Sequence, residues 1–287
     1  MADFGEILAR ARHDEQPLVM GVLNLTPDSF YDGGRYVQPS DIRSRLEALR
    51  AQGADLVDIG AESSKPGAPP VPAATQLERL GDAIRIAWGL GCVVSIDTQS
   101  PEVARRGIEM GAQVVNDVSC LRDEGLAQVA AQTGSFLVLT HSRAPMDRMS
   151  GFSQWPDDDY TDIVEDVALD WGRARARACD AGLSSERILF DPGLGFSKNA
   201  RHSFHLLAGL ERFRKLGAAI LVGPGRKSFI SAADPSPPEE RLGGTVAASL
   251  LAVQKGADIV RVHDVQEVRQ ALRVLKAVRN PELLRAE

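Results

Sequence analysis

LVMGVLN at residues 18–24 is an apolar run closed by an amide. Seven more runs follow: DLVDIG (55–60), CVVSID (92–97), VVND (114–117), FLVLTH (136–141), RILFD (187–191), AAILVG (218–223) and ADIVRVH (257–263). Each is a short Val/Ile/Leu stretch, the composition of a parallel strand covered on both faces, and segments of roughly helical period separate them. The repeated unit predicts an α/β chain folded as a single (β/α)8 TIM barrel, one domain over residues 1–287 with its core at about 18–279. Catalytic groups in such barrels come from the C-terminal ends of the strands and the loops after them. Here those ends carry Asn24, Asp58, Asp97, Asn116, His141, Asp191, Arg261 and His263, with Arg226 and Lys227 just past the seventh run.

The totals agree with one large core. The 287 residues are 44% apolar and 25% charged, close to the usual barrel length of about 250. A net charge of −6 and a pI near 5.5 argue against a general nucleic-acid or anionic-membrane binder, so any anion site must rest on a few placed cations. Cys92, Cys120 and Cys179 lack metal-type spacing and read as reduced structural thiols. The N-terminus MADFGEILARARHDEQP holds acids and no apolar signal core, and no stretch approaches the ~18 apolar residues of a membrane span. A cytoplasmic protein is expected.

Between the strands, Ile42, Leu46 and Leu49 fall on one helical face, as do Val265, Val268, Leu272, Leu275 and Val278. Gly53, Gly111, Gly134, Gly182, Gly217 and Gly256 stand where helices must stop before the next strand. Long connections follow strands one, two and five, at residues 24–38, 61–72 and 142–160, and all three emerge on the catalytic face. Prolines in APPVP (68–72) and acids in PDDD (156–159) mark two exits.

Two constellations carry chemistry. Arg226, Lys227, Arg261 and His263 close strands seven and eight, a frequent phosphate position in barrels. Asp264 followed by Glu267 predicts a capping-box-like helix start whose N–H groups aim at the same spot. The second constellation is Asp97, Asn116 and Asp191 with Lys227, either a structural pair such as Asp191 with Lys227 or an array that reads the edge of a polar heterocycle. Magnesium bound mainly through substrate phosphates needs only one or two protein oxygens, and Asn24 could supply one. DPGLGFSK (191–198) and GPGRKSF (223–229) have neither Walker nor dinucleotide-binding spacing.

GVLNLTPDSFYDGG (21–34), DIGAESSKPG (58–67), SIDT (95–98), NDVS (116–119), DPGLGFSK, GRKSF (225–229) and RVHDV (261–265) together closely resemble the dihydropteroate synthase family, from about residue 18 to residue 279. The resemblance implies condensation of 6-hydroxymethyl-7,8-dihydropterin diphosphate with p-aminobenzoate, by a dissociative, Mg2+-assisted substitution. It also implies a homodimer open to sulfonamide inhibitors. It puts Asp97, Asn116, Asp191, Lys227 and Phe196 on the pterin. Asn24 falls on the magnesium, and Arg261 and His263 on the diphosphate. Asp32 lies near the pterin, and Asp97, Asp32 and Lys227 are the implied catalytic groups. Phe30, Ser64, Lys65, Pro66 and Arg226 fall on the p-aminobenzoate side. The chain departs from the family at Ser64, Lys65, Gly225 and Thr140, chiefly on that side. Two other readings fit the pattern: a pterin-binding relative without synthase activity, and a pterin-dependent methyltransferase barrel.

Overall fold

The computed structural model describes residues 2–26, 38–62, 68–149, 151 and 153–283. In chain order these form α1 (Phe4–His13), β1 (Leu18–Asn24), α2 (Pro39–Ala51), β2 (Leu56–Gly60), α3 (Ala73–Gly89), β3 (Val93–Asp97), α4 (Pro101–Glu109) and β4 (Val114–Asp117). Then come α5 (Gly125–Thr133), β5 (Phe136–Thr140), α6 (Ile163–Asp180), β6 (Ile188–Asp191), α7 (Ala200–Ala208), β7 (Leu221–Val222), α8 (Ser228–Ala233), α9 (Leu242–Gln254), β8 (Ile259–Val262) and α10 (Val265–Arg279). All eight strands are parallel, in the order β6-β5-β4-β3-β2-β1-β8-β7, and a Phe190–Ile220 bridge links the two ends into a barrel. The expected fold and all eight strands are present.

Strand alternation sorts the side chains into three regions. Val57, Ile59, Val94, Ile96, Val115, Leu137, Leu139 and Phe190 point outward and meet the helices in the main core. Met20, Leu56, Val93, Val114, Val138, Leu189, Leu221 and Ile259 point inward and fill the lower barrel. One or two positions further along the same inward faces come Asn24, Asp58, Ser95, Asp97, Asn116, Thr140, Asp191 and Arg261. The barrel interior is therefore apolar at its floor and polar at its mouth.

Below the floor lies α1, which the sequence reading did not anticipate. Phe4, Leu8 and Ala11 recur at helical spacing and are buried in the lower core, Phe4 edge-on to Phe136 at 4.8 Å. Asp3 caps the helix by accepting from the Glu6 N–H at 3.0 Å, a cap worth about 1 kcal/mol. The helix closes the end opposite the mouth.

The predicted glycine stops all carry positive φ. At Gly111, φ is 116°, and a Cβ would also overlap the Trp88 ring. On α10, Val265, Val268 and Leu272 are buried as expected, but Val278 is exposed because at about 3.6 residues per turn it has rotated off that face. The connection after β5 contains two short 3-10 turns at Met146–Arg148 and Asp157–Asp159. It is tied down by Arg143, which reaches Asp170 at 2.9 Å and Asp159 at 3.1 Å.

Candidate active site

At the mouth, parallel register sets Gly60, Asp97 and Asn116 side by side on β2, β3 and β4, one step above Asp58 and Ser95. Arg261 rises from β8 and spans the opening. Its Nε donates to Asp58 at 2.6 Å and its Nη2 to Asp97 at 3.0 Å. Asn116 donates its amide N–H to the same Asp58 oxygen at 3.0 Å. Asp58 and Asn116 are almost wholly buried, and Asp58 Oδ1, Asn116 Oδ1 and Ser95 Oγ have no hydrogen-bond partner. Buried polar atoms are normally paired. Acceptors left over in a barrel mouth mark a place for a ligand's N–H groups.

Asp191 completes the ring from β6. Its Oδ1 accepts from the Gly193 N–H at 2.7 Å, and Thr140 donates weakly to Oδ2 at 3.5 Å. Gly193 makes this turn possible: its φ is +68°, and a Cβ would overlap the His141 carbonyl oxygen. Lys227 donates to the Leu194 carbonyl at 2.6 Å, and its ammonium lies 4.4 Å above the Phe196 ring. The structural alternative of a direct Asp191–Lys227 salt bridge is not what forms. Lys227 instead sits close enough to lower the Asp191 pKa by charge, against burial, which raises it.

The ring holds three carboxylates, Asp58, Asp97 and Asp191, against two cations, Arg261 and Lys227. Burial pushes the Asp97 carboxyl up to about 7, with Arg261 opposing and Asp58 adding to the rise. Burial likewise brings Lys227 down to about 8, with Asp191 working the other way. Among the described residues the mouth is largely buried and its carboxylates outnumber its cations, which suits hydrogen-bond donors and a developing cation.

The expected anion basket needs correction. Arg226 turns away from the mouth, with Nη2 2.5 Å from Asp264 and Nη1 on the carbonyls of Pro238 and Glu239. Asp264 spends its carboxylate on this pair and makes no side-chain cap to α10, so the predicted capping box is absent. The physical reason is economy of charge: each half-buried cation has taken the nearest carboxylate or carbonyl. Arg261 keeps Nη1 free of hydrogen bonds to described residues, and His263 faces solvent beside it.

Asn24 stands at the end of β1, half-buried, its Oδ1 3.7 Å from the point a Gly60 Cβ would occupy. Among the described residues no three His, Cys, Asp or Glu side chains gather to form a metal cage. A lone amide oxygen beside Asp97 fits a hard ion held mainly by a ligand's own phosphates. Phe30, Asp32, Ser64, Lys65 and Pro66 lie outside the described residues.

Two features of the site go beyond the sequence reading. Asp58 is expected there only as the polar residue of strand two, and its role as shared acceptor for Arg261 and Asn116 emerges from the structure. Lys198, in GFSK, is buried behind the mouth, and nothing in the sequence separates it from an exposed loop lysine.

The sequence profile of pterin binding enzymes matches residues 20–263. A probable bifunctional folylpolyglutamate synthase/dihydropteroate synthase of Halobacterium salinarum is 44% identical over 92% of this chain; the chain spans about a third of that protein's length, 32%. Dihydropteroate synthase of Escherichia coli K12 is 37% identical over 91% of both chains. In three dimensions, Xanthomonas albilineans dihydropteroate synthase with 4-aminobenzoic acid superposes with a TM-score of 0.84 at 38% identity, covering 92% of this chain and 93% of that one.

Proposed function

The chain belongs to the pterin binding enzyme family, and on that footing we propose that it is a dihydropteroate synthase. It joins 6-hydroxymethyl-7,8-dihydropterin diphosphate to p-aminobenzoate, giving 7,8-dihydropteroate and diphosphate. The observation that carries this reading is the set of unpaired acceptors at the mouth, Asp58 Oδ1 and Asn116 Oδ1, beside Asp191 and Lys227. A pterin edge offers several N–H donors and one carbonyl. Carboxylate and amide oxygens suit the donors, and the Lys227 ammonium suits the carbonyl. Phe196, held under Lys227, gives a flat apolar wall.

The carbon–oxygen bond breaks with its electron pair leaving on the diphosphate oxygen. The arylamine lone pair then forms the carbon–nitrogen bond, and the surplus proton passes to solvent. The excess carboxylate charge at the mouth stabilises the methylene cation between these steps, Asp97 foremost because it stands at the rim, with Asp32 assigned beside it. An arylamine is neutral at pH 7, so no strong base is required. Arg261 Nη1, unbonded among the described residues, and the solvent-facing His263 meet the departing diphosphate. Mg2+ would neutralise charge on that leaving group, with Asn24 as its protein ligand. Phe30, Ser64, Lys65 and Pro66 are assigned to p-aminobenzoate, where sulfonamides, as arylamines bearing a p-aminobenzoate-like anionic group, would compete.

The same reading takes the chain as one domain that works as a homodimer in the cytosol, where its three free thiols stay reduced. No described helix is long and apolar enough to cross a membrane.

Purified protein supplied with the pterin diphosphate, Mg2+ and labelled p-aminobenzoate should release dihydropteroate and diphosphate in equal amounts, and chelation of the metal should stop it. Pterin binding without product would make the chain a pterin-binding relative. Methyl transfer from a methylated pterin to a corrinoid protein would make it a methyltransferase.

A further inference from the structure

Behind the polar ring lies a buried cation that the reaction does not use. Lys198 is 1% exposed, and its ammonium makes three hydrogen bonds: to the Phe196 carbonyl at 2.8 Å, the His141 carbonyl at 3.1 Å and His141 Nδ1 at 2.8 Å. An ammonium has three protons, and each has an acceptor. His141 Nε2 faces the Asp170 carboxylate of α6 at 3.3 Å, which can only accept, so the imidazole proton sits on Nε2 and Nδ1 is left to accept from Lys198. Burial brings His141 down to about 3, with Lys198 adding to the effect, so the ring is neutral as this geometry requires. Asp170 in turn is fixed by Arg143 at 2.9 Å.

The residues held by Lys198 adjoin the pterin wall. Phe196 carries the ring under Lys227, and the next residue, Ser197, has a φ of +48° that an ordinary side chain tolerates only under restraint. The Ser197 hydroxyl accepts from the N–H groups of Arg143 at 3.1 Å and Ala144 at 3.0 Å, and Tyr160 donates to its carbonyl at 2.9 Å. The charge is costly: burial brings Lys198 down to about 7, with Asp191 working the other way, so the ammonium is held here against desolvation. An apolar residue would pack at lower cost and could not gather two carbonyls and an imidazole.

We propose that Lys198 is a positioning residue for pterin recognition: its buried ammonium, oriented by the His141–Asp170 pair, fixes the carbonyls of His141 and Phe196 and so holds the Phe196 ring and Lys227 in place to receive the heterocycle. The inference rests on the pterin reading of the mouth. It adds that a chain of groups from α6 to the β6 loop sets the affinity of that mouth without touching the ligand.

The test is calorimetry of 6-hydroxymethylpterin with wild type, Lys198→Met and Asp170→Asn, together with steady-state kinetics and nitrogen NMR of His141. If the wild type binds no pterin, the reading of the mouth fails, and this inference with it, before any variant is compared. Given wild-type binding, Lys198→Met should weaken the pterin roughly ten- to hundredfold, the loss expected when hydrogen bonds to a charged group are removed. KM for the pterin diphosphate should rise by a like factor, while KM for p-aminobenzoate stays within twofold. The His141 resonances should shift from a single Nε2–H tautomer to a mixture. Asp170→Asn leaves Lys198 in place and should show the same selectivity with a smaller loss, and it carries the test if Lys198→Met does not fold. Pterin affinity within twofold of wild type in a folded Lys198→Met, or equal weakening of both substrates, would overturn the proposal.

Discussion

Asp97→Asn separates the electrostatic role of this carboxylate from its shape. The amide is isosteric and can still accept from Arg261, which now donates to Asp97 at 3.0 Å. In the folded protein burial holds the Asp97 carboxyl near 7, against 3.8 for an ordinary aspartate. Below about pH 4 the group is protonated in both folded and unfolded chains and costs nothing. Between about 4 and 7 the unfolded chain has lost the proton and the folded one keeps it, so stability falls as pH rises. Above 7 the full cost is present: at 1.36 kcal/mol per pH unit it is at most about 4 kcal/mol. The variant lacks this dependence. Its stability relative to wild type should therefore climb between pH 4 and pH 7 and then level, measured by urea unfolding at half-unit steps. Turnover should move the other way, falling about 10²–10³-fold with loss of the charge that opposes the cation. A stability difference flat across pH, or one that shrinks as pH rises, would refute the burial argument, and turnover within a few-fold of wild type would remove Asp97 from catalysis.

Arg261→Ala leaves Asp58 and Asp97 buried without their shared partner, so unfolding free energy should drop by about 3–5 kcal/mol; a loss under 1 kcal/mol would mean water replaces the guanidinium freely. Gly193→Ala must place a Cβ on the His141 carbonyl at positive φ, and a destabilisation of about 2–4 kcal/mol is expected by thermal unfolding; an unchanged Tm would show that the β6 turn relaxes. Ser64→Thr with Lys65→Arg should shift the apparent affinity for p-aminobenzoate or a sulfonamide and leave the pterin constant alone, through a methyl contact of at most about 0.8 kcal/mol and a more rigid guanidinium. Steady-state kinetics varying each substrate in turn reads it, and a shift confined to the pterin would sink the loop assignment.

Most strands were legible because the inward face switches from an apolar residue to a polar one at its end, as Leu56 gives way to Asp58 and Val93 to Ser95 and Asp97. Helix stops were legible for a backbone reason, the positive φ at positions such as Gly111. Pairing was not. Sequence places Arg226, Lys227, Arg261 and His263 at neighbouring strand ends, but which carboxylate each cation reaches depends on side-chain direction. So Arg226 leaves the expected group for Asp264, while Arg261 reaches Asp58 and Asp97 and stays beside His263. Asp264 shows the same limit, since the residue that looked like a cap is drawn off by a guanidinium from another loop. Lys198 was invisible because its partners, the His141 ring and two backbone carbonyls, come together only in three dimensions.

The central claim, that the polar ring reads a pterin, is tested most directly by titrating 6-hydroxymethylpterin into wild type and Asp191→Asn. The amide keeps the shape and can still accept from the Gly193 N–H, but it removes the charge that strengthens hydrogen bonds from the ligand's ring and amino nitrogens. Loss of charge assistance of about 1.5–3 kcal/mol predicts a Kd roughly ten- to hundredfold weaker in the variant. An unchanged Kd, or no binding to the wild type, would contradict the assignment of the barrel mouth.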